Sequence, residues 1–200
     1  MAKWLSDMVL ESSTVCLEPM EASHADALVA AASDGALWEL WFTSVPSPET
    51  IKKYMEQALA AKEDGTAMPF VVMDKASGKV IGSTRYCNLA PHHRRLEIGY
   101  TWYSKSFQRT SVNSECKLLL LGHAFEALDA IAVEFRTHSE NKASRAAIAR
   151  LGARQDGILR QHMILPDGSI RDTVVFSIIR EEWGHVKANL LQKMKKHREI

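Results

Sequence analysis

The chain has 200 residues, of which 46% are hydrophobic and 24% are charged, and its formal net charge at pH 7 is +1. This length and composition are typical of one soluble globular domain with a substantial core. The near-neutral charge provides no overall field that would attract nucleic acid or an anionic membrane, so we expect neither as a partner.

The cysteines and the absence of targeting signals indicate a compartment. Cys16, Cys87 and Cys116 are odd in number and far apart in apolar or amphipathic surroundings, which predicts buried free thiols in a reducing environment. No apolar run approaches the ~18 residues that a membrane-spanning helix needs. Residues 1–13 carry charges within any apolar stretch and do not have the pattern of a signal peptide. We therefore expect a cytoplasmic protein.

The first third of the chain predicts a short strand followed by two helices. Residues 15–20 are the strand candidate, and a helix begins near Ser23 with apolar positions recurring on one face. The second helix begins near Ser47, where a capping serine, a proline and a glutamate follow in the preferred order. Asp64 and Gly65 end this helix.

Between these helices, residues 36–42 contain more aromatic side chains than a surface segment needs. One interpretation is that they pack in the core beneath the first helix. The other is that Trp38, Trp41 and Phe42 line a binding cleft, since large aromatic side chains are favoured in pockets. The sequence leaves both interpretations open.

The middle of the chain predicts a hairpin. Residues 70–73 and 79–86 have the pattern of strands, and residues 75–78 form a plausible turn between them. Gly82, inside the second strand, indicates a bulge or a close backbone neighbour.

The adjacent His92 and His93 invite comparison with a metal site. Neighbouring histidines point to different sides of the chain, and no matched ligands lie at the spacings that zinc sites use. We expect solvated loop residues here and no metal.

The most informative stretch joins a strand to a helix. Residues 97–103 are rich in β-branched and aromatic residues and predict a strand, and residues 104–111 form a polar connection. Asn113 or Ser114 then caps a helix, and Glu115 in the first turn suits its dipole.

This helix start has the features of an anion site. Backbone N–H groups converge where a strand, a polar turn and a helix N-terminus meet, and Arg109 and Lys117 flank that place with positive charge. The alternative is an ordinary connection with a well-capped helix, because basic residues near helix starts are common.

The remaining elements alternate between helices and strands and end in an amphipathic helix with a basic end. They are a helix at 115–128, a strand at 130–137, a helix at 142–151, strands at 157–165 and 170–179 joined by the turn Pro166-Asp167-Gly168, and a terminal helix at 180–200. The fold class is therefore α+β, with a mixed, mostly antiparallel sheet of about six to seven strands flanked by helices.

Four short motifs within this order resemble those of a known family. They are E-I-G-Y at residues 97–100, Q-R-T-S-V-N at 108–113, N-K-A-S at 141–144 and L-G-A at 151–153. Together they resemble the GNAT superfamily of acyl-CoA-dependent N-acyltransferases, and most closely its branch of ribosomal-protein-type N-terminal acetyltransferases. The second motif departs from the family pattern, because Ser111 and Asn113 stand where glycines are preferred.

The resemblance implies a GNAT domain over residues 14–180 followed by a helical tail at 181–200. It also implies an acetyltransferase, a monomer or homodimer, that moves an acetyl group from acetyl-CoA to a primary amine. The acceptor would be a protein N-terminus or a small molecule, and the amine would attack directly in a ternary complex. The alternative is an acyl-CoA-binding module or an interaction protein without turnover, given the lost glycines.

The resemblance further assigns two catalytic roles. Glu97 would take the proton of the amine, whereas a purely structural Glu97 would pair with Arg94 or Arg95. The tyrosine that many members use as a proton donor to the leaving thiolate is replaced by Ile148. Ser144 would donate a hydrogen bond to the sulfur instead.

Acetyl-CoA is the expected co-substrate, held by the loop, by the helix start and by Asn141, which can equally cap its own helix. His138 is a lesser candidate for a proton shuttle, and the aromatic residues 38, 41 and 42 would border the acceptor. The expected coenzyme contacts are Trp102, Tyr103, Gln108, Arg109, Thr110, Ser111, Val112, Asn113, Lys117, Asn141 and Ser144.

Overall fold

The structure is a computed structural model that describes residues 4–165 and 167–198, with the side chains of residues 196–198 left out. The predicted turn residue Pro166 and the last two residues of the predicted terminal helix lie outside the described residues.

One sheet of eight strands forms the centre of the protein. Its strands are β1 (Leu10–Glu11), β2 (Val15–Pro19), β3 (Met68–Asp74), β4 (Lys79–Ala90), β5 (Arg95–Tyr103), β6 (Ala132–His138), β7 (Arg154–Ile164) and β8 (Ile170–Ile179). Their order in the sheet is β1-β2-β3-β4-β5-β6-β8-β7, and only the β5–β6 pair is parallel. The predicted mixed, mostly antiparallel sheet is confirmed, and the short β1 adds an eighth strand that the sequence pattern did not indicate.

Five α-helices flank this sheet in the described chain. They are α1 (Ala25–Ser33), α2 (Ile51–Glu63), α3 (Val112–Gly122), α4 (Lys142–Leu151) and α5 (Arg180–Arg198). Two predicted starts are wrong by a few residues. The N-cap of α2 is Thr50 rather than Ser47, and that of α3 is Ser111 rather than Asn113 or Ser114.

The two sides of the sheet are covered by different helices. Helices α3, α4 and α5 contribute to one hydrophobic core, and α1 and α2 to another. Strand β5 serves both cores, since Ile98 and Tyr103 face the first and Trp102 faces the second. We call these sides the α3 face and the α2 face.

Helix α5 packs into the first core. Trp183, Val186, Leu190 and Met194 are buried, as the predicted stripe requires, whereas Leu191 of the same stripe is 42% exposed. The Trp183 ring stacks on Phe125, with 5.6 Å between the ring centroids. The boundary predicted at residue 180 stays a prediction.

The parallel strands β5 and β6 diverge soon after they meet. They pair at Arg95–Ala132, Leu96–Val133 and Glu97–Glu134 only. Beyond these pairs, β5 stays bonded to β4 as far as Tyr103, and β6 stays bonded to β8 as far as His138. The facing edges of residues 98–103 and 135–138 therefore enclose an open gap in the sheet, which we call the wedge.

A bulge in β5 lies beside the wedge. Arg85 of β4 pairs with Gly99 and Ser83 pairs with Trp102, so β5 contains one extra residue between these pairs. Tyr100 takes up the extra length with a φ of 51°. The predicted close neighbour of Gly82 is confirmed, because a Cβ at that position would clash with the carbonyl oxygen of Trp102.

Candidate active site

The start of α3 lies at the open end of the wedge, because β5 runs directly into the loop that precedes this helix. Gln108 Nε2 donates to the carbonyl of Tyr103 (3.0 Å), and Thr110 Oγ1 donates to the carbonyl of Phe107 (2.7 Å). These bonds order the loop on the end of the strand. The first N–H groups of α3 have no carbonyl partner one turn earlier within the helix, so they can bind an anion.

Three of the predicted loop residues are placed to meet that anion from outside. Gln108, Arg109 and Thr110 are exposed, and Arg109 has a φ of 63°. Ser111, at the N-cap, and Asn113 are half-buried. Val112, in contrast, is buried in the core of the α3 face, so only its backbone is available to a ligand.

Lys117 does not lie beside this helix start. Its side chain is buried, and Nζ donates to Thr101 Oγ1 of β5 at 2.9 Å and lies 5.9 Å from the centroid of the Phe135 ring. Burial lowers the pKa of Lys117 to about 8. This placement corrects the expectation that Lys117 adds a positive charge next to Arg109, because its ammonium group faces the sheet.

Two further predicted contacts have buried side chains. Trp102 packs in the core of the α2 face, where its Nε1 donates to the hydroxyl of Tyr54 at 3.5 Å. Tyr103 packs in the core of the α3 face, and its hydroxyl is buried without a hydrogen-bond partner among the described residues. A coenzyme in the wedge would therefore meet the backbone edge at these positions rather than the aromatic rings.

The start of α4 follows β6 at the other side of the wedge. Asn141 is the N-cap of α4, and its Oδ1 accepts a hydrogen bond from the backbone N–H of Ser144 at 2.9 Å. The predicted cap is thus confirmed, as is the stop at Gly152, which has a φ of 105°. The Ser144 hydroxyl takes no part in the cap. Ile148 is buried in the α3-face core.

Glu97 lies at the closed end of the wedge on the α2 face. Its side chain is buried, with Oε2 accepting from Asn88 Nδ2 at 2.7 Å and lying 3.5 Å from Arg136 Nε. Burial raises the pKa of Glu97, whereas the hydrogen bond from Asn88 and the charge of Arg136 lower it, and the net direction is upward. A carboxyl group with a raised pKa is better matched to accept a proton near neutral pH.

The prediction that a purely structural Glu97 would pair with Arg94 or Arg95 is wrong. Arg94 pairs with Asp129, and Arg95 pairs with Glu134. Glu97 instead takes its partners from β4 and β6, which sequence proximity could not indicate. A cavity of about 260 Å³ opens beside it, lined by Asn88, Ala90, Arg95, Leu96, Glu97, Glu134 and Arg136.

One of the early aromatic residues, Trp41, reaches the far end of β6. The Trp41 ring meets His138 edge-on with 4.9 Å between the centroids, and meets Phe42 in the same way at 5.5 Å. Trp41 is 57% exposed, which leaves one side of it open to solvent. Trp38, in contrast, packs against the core of the α2 face, so the core interpretation applies to it.

His138 adds a polar group at this end. Its Nδ1 accepts from the backbone N–H of Glu140 at 3.0 Å, which leaves the proton on Nε2, and Nε2 is buried without a partner among the described residues. Burial lowers the pKa of His138, so the ring is neutral at pH 7.

Sequence reasoning missed Asn88, Arg85 and Arg136. Asn88 has a φ of 49° in an irregular stretch of β4, and Arg136 comes from a strand far along the chain. Arg85 had a usable signal, since it is a charged residue between Thr84 and Tyr86 in the middle of a stretch that has the pattern of a strand.

The gap between the diverging parallel strands has a helix start at its mouth and a buried carboxylate at its closed end, an arrangement that suits acyl transfer from a coenzyme to an amine. Residues 14–154 match the family described as the acetyltransferase (GNAT) domain. The chain therefore belongs to the GNAT acetyltransferases, enzymes that transfer an acetyl group from acetyl-CoA to an amine. The predicted fold, family and reaction are confirmed.

Individual relatives agree with this assignment. The N-acetyltransferase YoaA of Bacillus subtilis is 24% identical over 173 residues, which are 86% of this chain and 97% of YoaA. YdaF of the same organism, named as a candidate ribosomal N-acetyltransferase, is 30% identical over 106 residues, 53% of this chain and 57% of YdaF. The structure of a GCN5-related N-acetyltransferase from Brucella melitensis is 32% identical, with a TM-score of 0.84 over 94% of this chain and 86% of that one. The likeness to YdaF agrees with the predicted resemblance to the ribosomal-protein-type branch.

The described residues also bear on the predictions about membranes, metals and cysteines. None of the helices within residues 4–165 and 167–198 has the length and apolar character to cross a membrane. In the same part of the chain, no three His, Cys, Asp or Glu side chains are grouped so that they could hold a metal ion. The three cysteines are buried free thiols, as predicted.

Proposed function

We propose that acetyl-CoA lies with its pantetheine arm in the wedge and its diphosphate at the start of α3, and that the acceptor amine approaches from the α2 face. One observation carries the proposal: the pairing of β5 with β6 ends at Glu97–Glu134 although both strands continue. The backbone groups on the facing edges lose their partners there, and an extended ligand with its own amides can replace them.

In this arrangement the loop and helix start provide the anion site. The exposed Arg109 adds a positive charge, and the N–H groups after Ser111 add oriented dipoles. Ser111 and Asn113 each carry a Cβ where the family prefers glycine, so the diphosphate can approach the backbone less closely at these two positions. Their backbone N–H groups are still available as donors.

Glu97 acts as the base that makes the amine a nucleophile. Asn88 and Arg136 hold its carboxylate in place, and its raised pKa favours acceptance of a proton from the incoming ammonium group. The neutral amine then attacks the thioester carbonyl directly, so the C–N bond forms, the C–S bond breaks and the electron pair leaves on sulfur. The nitrogen loses its second proton as the amide forms, and the thiolate takes up a proton to leave as the CoA thiol. Because the two reactants are held together, positioning supplies much of the rate.

Ser144 meets the departing thiolate. Since the Asn141 cap uses only the N–H of Ser144, the hydroxyl is available to donate to sulfur, and the start of α4 adds a favourable dipole for negative charge. His138 Nε2, the other buried donor near this end, is a second group that can supply a hydrogen bond to the developing charge.

The acceptor is a primary amine of a small molecule or of a protein N-terminus. The ribosomal likeness of YdaF supports the second class, whereas the cavity of about 260 Å³ beside Glu97 is suited to a small ligand. Trp41 and Phe42 border the route to the site. As proposed, the reaction takes place in the cytoplasm and uses no metal, nucleic acid or membrane.

Glu97→Gln tests the role of the base. We expect turnover to fall about 100-fold, and most at low pH, because a base matters most when the amine is mainly protonated. The measurement is thiol release from acetyl-CoA against pH, with CoA affinity followed by calorimetry and expected to stay unchanged. Glu11→Gln is the matched control, since Glu11 is an exposed carboxylate that pairs with Lys75 at the far edge of the sheet, and it should leave the pH profile unchanged. An identical acidic limb in the Glu97 variant and the parent would refute the role.

A further inference from the structure

Arg85 is a buried cation that the proposed reaction does not use. It lies on β4 at the α2 face with 5% of its surface exposed, and no carboxylate of the described residues forms an ion pair with it. Its guanidinium carbon lies 4.1 Å from the centroid of the Tyr100 ring and 5.4 Å from that of Tyr54. The two aromatic rings stabilise the charge without accepting its in-plane hydrogen bonds.

The unused donors of Arg85 share one edge of the group. Nε and Nη2 are both buried without a hydrogen-bond partner among the described residues. A buried charged donor that lacks an acceptor is unfavourable. These two nitrogens form the side-on fork of the planar guanidinium, and two parallel N–H groups match the two oxygens of a carboxylate.

The fork lies next to the proposed base. Arg85 pairs with Gly99, and Cys87 pairs with Glu97, so Arg85 and Glu97 are diagonal neighbours on the same face, at a spacing of roughly 7–8 Å. Glu97 does not satisfy Arg85 in this structure: no hydrogen bond or ion pair joins the two residues, and Glu97 Oε2 is held by Asn88 and Arg136. A ligand that spans the two residues would place a carboxylate at Arg85 and an amine close to Glu97.

Tyr100 is the half-exposed residue that contacts the Arg85 guanidinium. Its ring covers the guanidinium, yet 47% of the residue is exposed, and it belongs to the bulge rather than to the regular ladder. The ring can therefore turn toward solvent without breaking core packing, and this movement would uncover Arg85 for a ligand.

We propose that the acceptor is a small molecule with a carboxylate close to its amine, such as a free α-amino acid, and that Arg85 binds this carboxylate. The inference rests on the proposed entry of the acceptor from the α2 face. It selects the small-molecule class over a protein N-terminus, because the first carbonyl of a peptide offers one neutral oxygen to a fork that fits two charged ones.

The test uses free L-amino acids together with their carboxamides and short peptides as acceptors of acetyl-CoA. We expect the wild type to prefer at least one amino acid over its own carboxamide by tenfold or more in kcat/KM, mostly through KM, on the scale of charge-assisted hydrogen bonds. In Arg85→Met the ratio of kcat/KM for the amino acid to kcat/KM for its carboxamide should fall toward one. Arg85→Lys, which keeps the charge but lacks the fork, should retain only part of it.

Controls separate recognition from folding. Arg94→Met removes an exposed arginine that pairs with Asp129, and it should leave the preference intact. Melting temperature and calorimetry with CoA establish that each variant is folded; if Arg85→Met does not fold, the comparison of Arg85→Lys with the wild type decides.

Two results would overturn the inference and leave acetyl transfer standing. One is a wild type that acetylates peptides or carboxamides as well as the matching free amino acids, and the other is a preference that survives in Arg85→Met. Absence of thiol release with every acceptor would instead reject the proposed transfer itself, together with this inference.

Discussion

Replacement of Lys117 by methionine tests how burial acts on a single charge. Lys117 is 5% exposed, its Nζ has the Thr101 hydroxyl as hydrogen-bond acceptor, and no ion pair involves it within the described residues. Burial, opposed by the nearby thiols of Cys116 and Cys87, lowers the pKa of Lys117 from the usual 10.5 to about 8. The folded protein therefore holds this proton less tightly than the unfolded chain does.

The sign and size of the effect follow from this difference. Below pH 8 Lys117 carries its proton in both the folded and the unfolded protein. The pKa difference between about 8 and 10.5, at about 1.4 kcal/mol per pH unit, means that the buried charge destabilises the fold by about 3 kcal/mol. Between these two pH values the unfolded state binds more protons, so stability rises with pH. Methionine has a similar length and no charge, but it loses the bond to Thr101, which offsets about 1 kcal/mol.

We therefore expect Lys117→Met to be about 2 kcal/mol more stable than the parent at pH 7. This corresponds to a rise in Tm of about 4–8 °C for a domain of this size. Urea unfolding at pH 7 and at pH 9.5 is the assay, and the advantage of the variant should nearly vanish at the higher pH. The difference between the two proteins cancels the titration of groups that both contain. The reasoning would be refuted if Lys117→Met were less stable than the parent at pH 7. It would also be refuted if the stability advantage of the variant were the same at pH 7 and pH 9.5.

The remaining predictions concern the site and the sheet. Ser144→Ala should lower kcat by roughly 10- to 100-fold. Its melting temperature should stay unchanged, because the cap of α4 uses the backbone N–H of Ser144 and the side chain of Asn141. A kcat equal to that of the parent would remove Ser144 from the mechanism. Gly82→Ala should destabilise the fold by about 2 kcal/mol or more in urea unfolding, since its Cβ would press on the carbonyl of Trp102. An unchanged midpoint would show that β4 and β5 can separate there without cost.

The comparison of sequence and structure at Glu97 shows where local reasoning ends. The sequence indicated a carboxylate on this strand, and the strand is present as β5. It also suggested Arg94 or Arg95 as structural partners because they are near in the chain, but these residues pair with Asp129 and Glu134. A side chain on a strand contacts residues of the neighbouring strands, and the register of strand pairing decides which residues these are.

Lys117 shows the same limit on a helix. Its position in the chain, six residues after Ser111, placed it close to the start of α3, and its charge suggested a phosphate contact. Which side of the helix faces the sheet depends on how α3 packs, and the apolar stripe of this helix is too broad to predict it. The packing directs the ammonium group to Thr101.

The sequence by itself determined the features that short-range physics controls. The cap at Asn141, the stop at Gly152, the tight contact at Gly82 and the strand–loop–helix order around residue 104 each follow from the backbone preferences of a few neighbouring residues. Only the tertiary structure decided that β5 and β6 part after three pairs, that Glu97 joins Asn88 and that the edge of Arg85 stays open. These features depend on contacts between strands that are distant in the chain. The register of these strands and the burial of their side chains are fixed only when the whole sheet has formed.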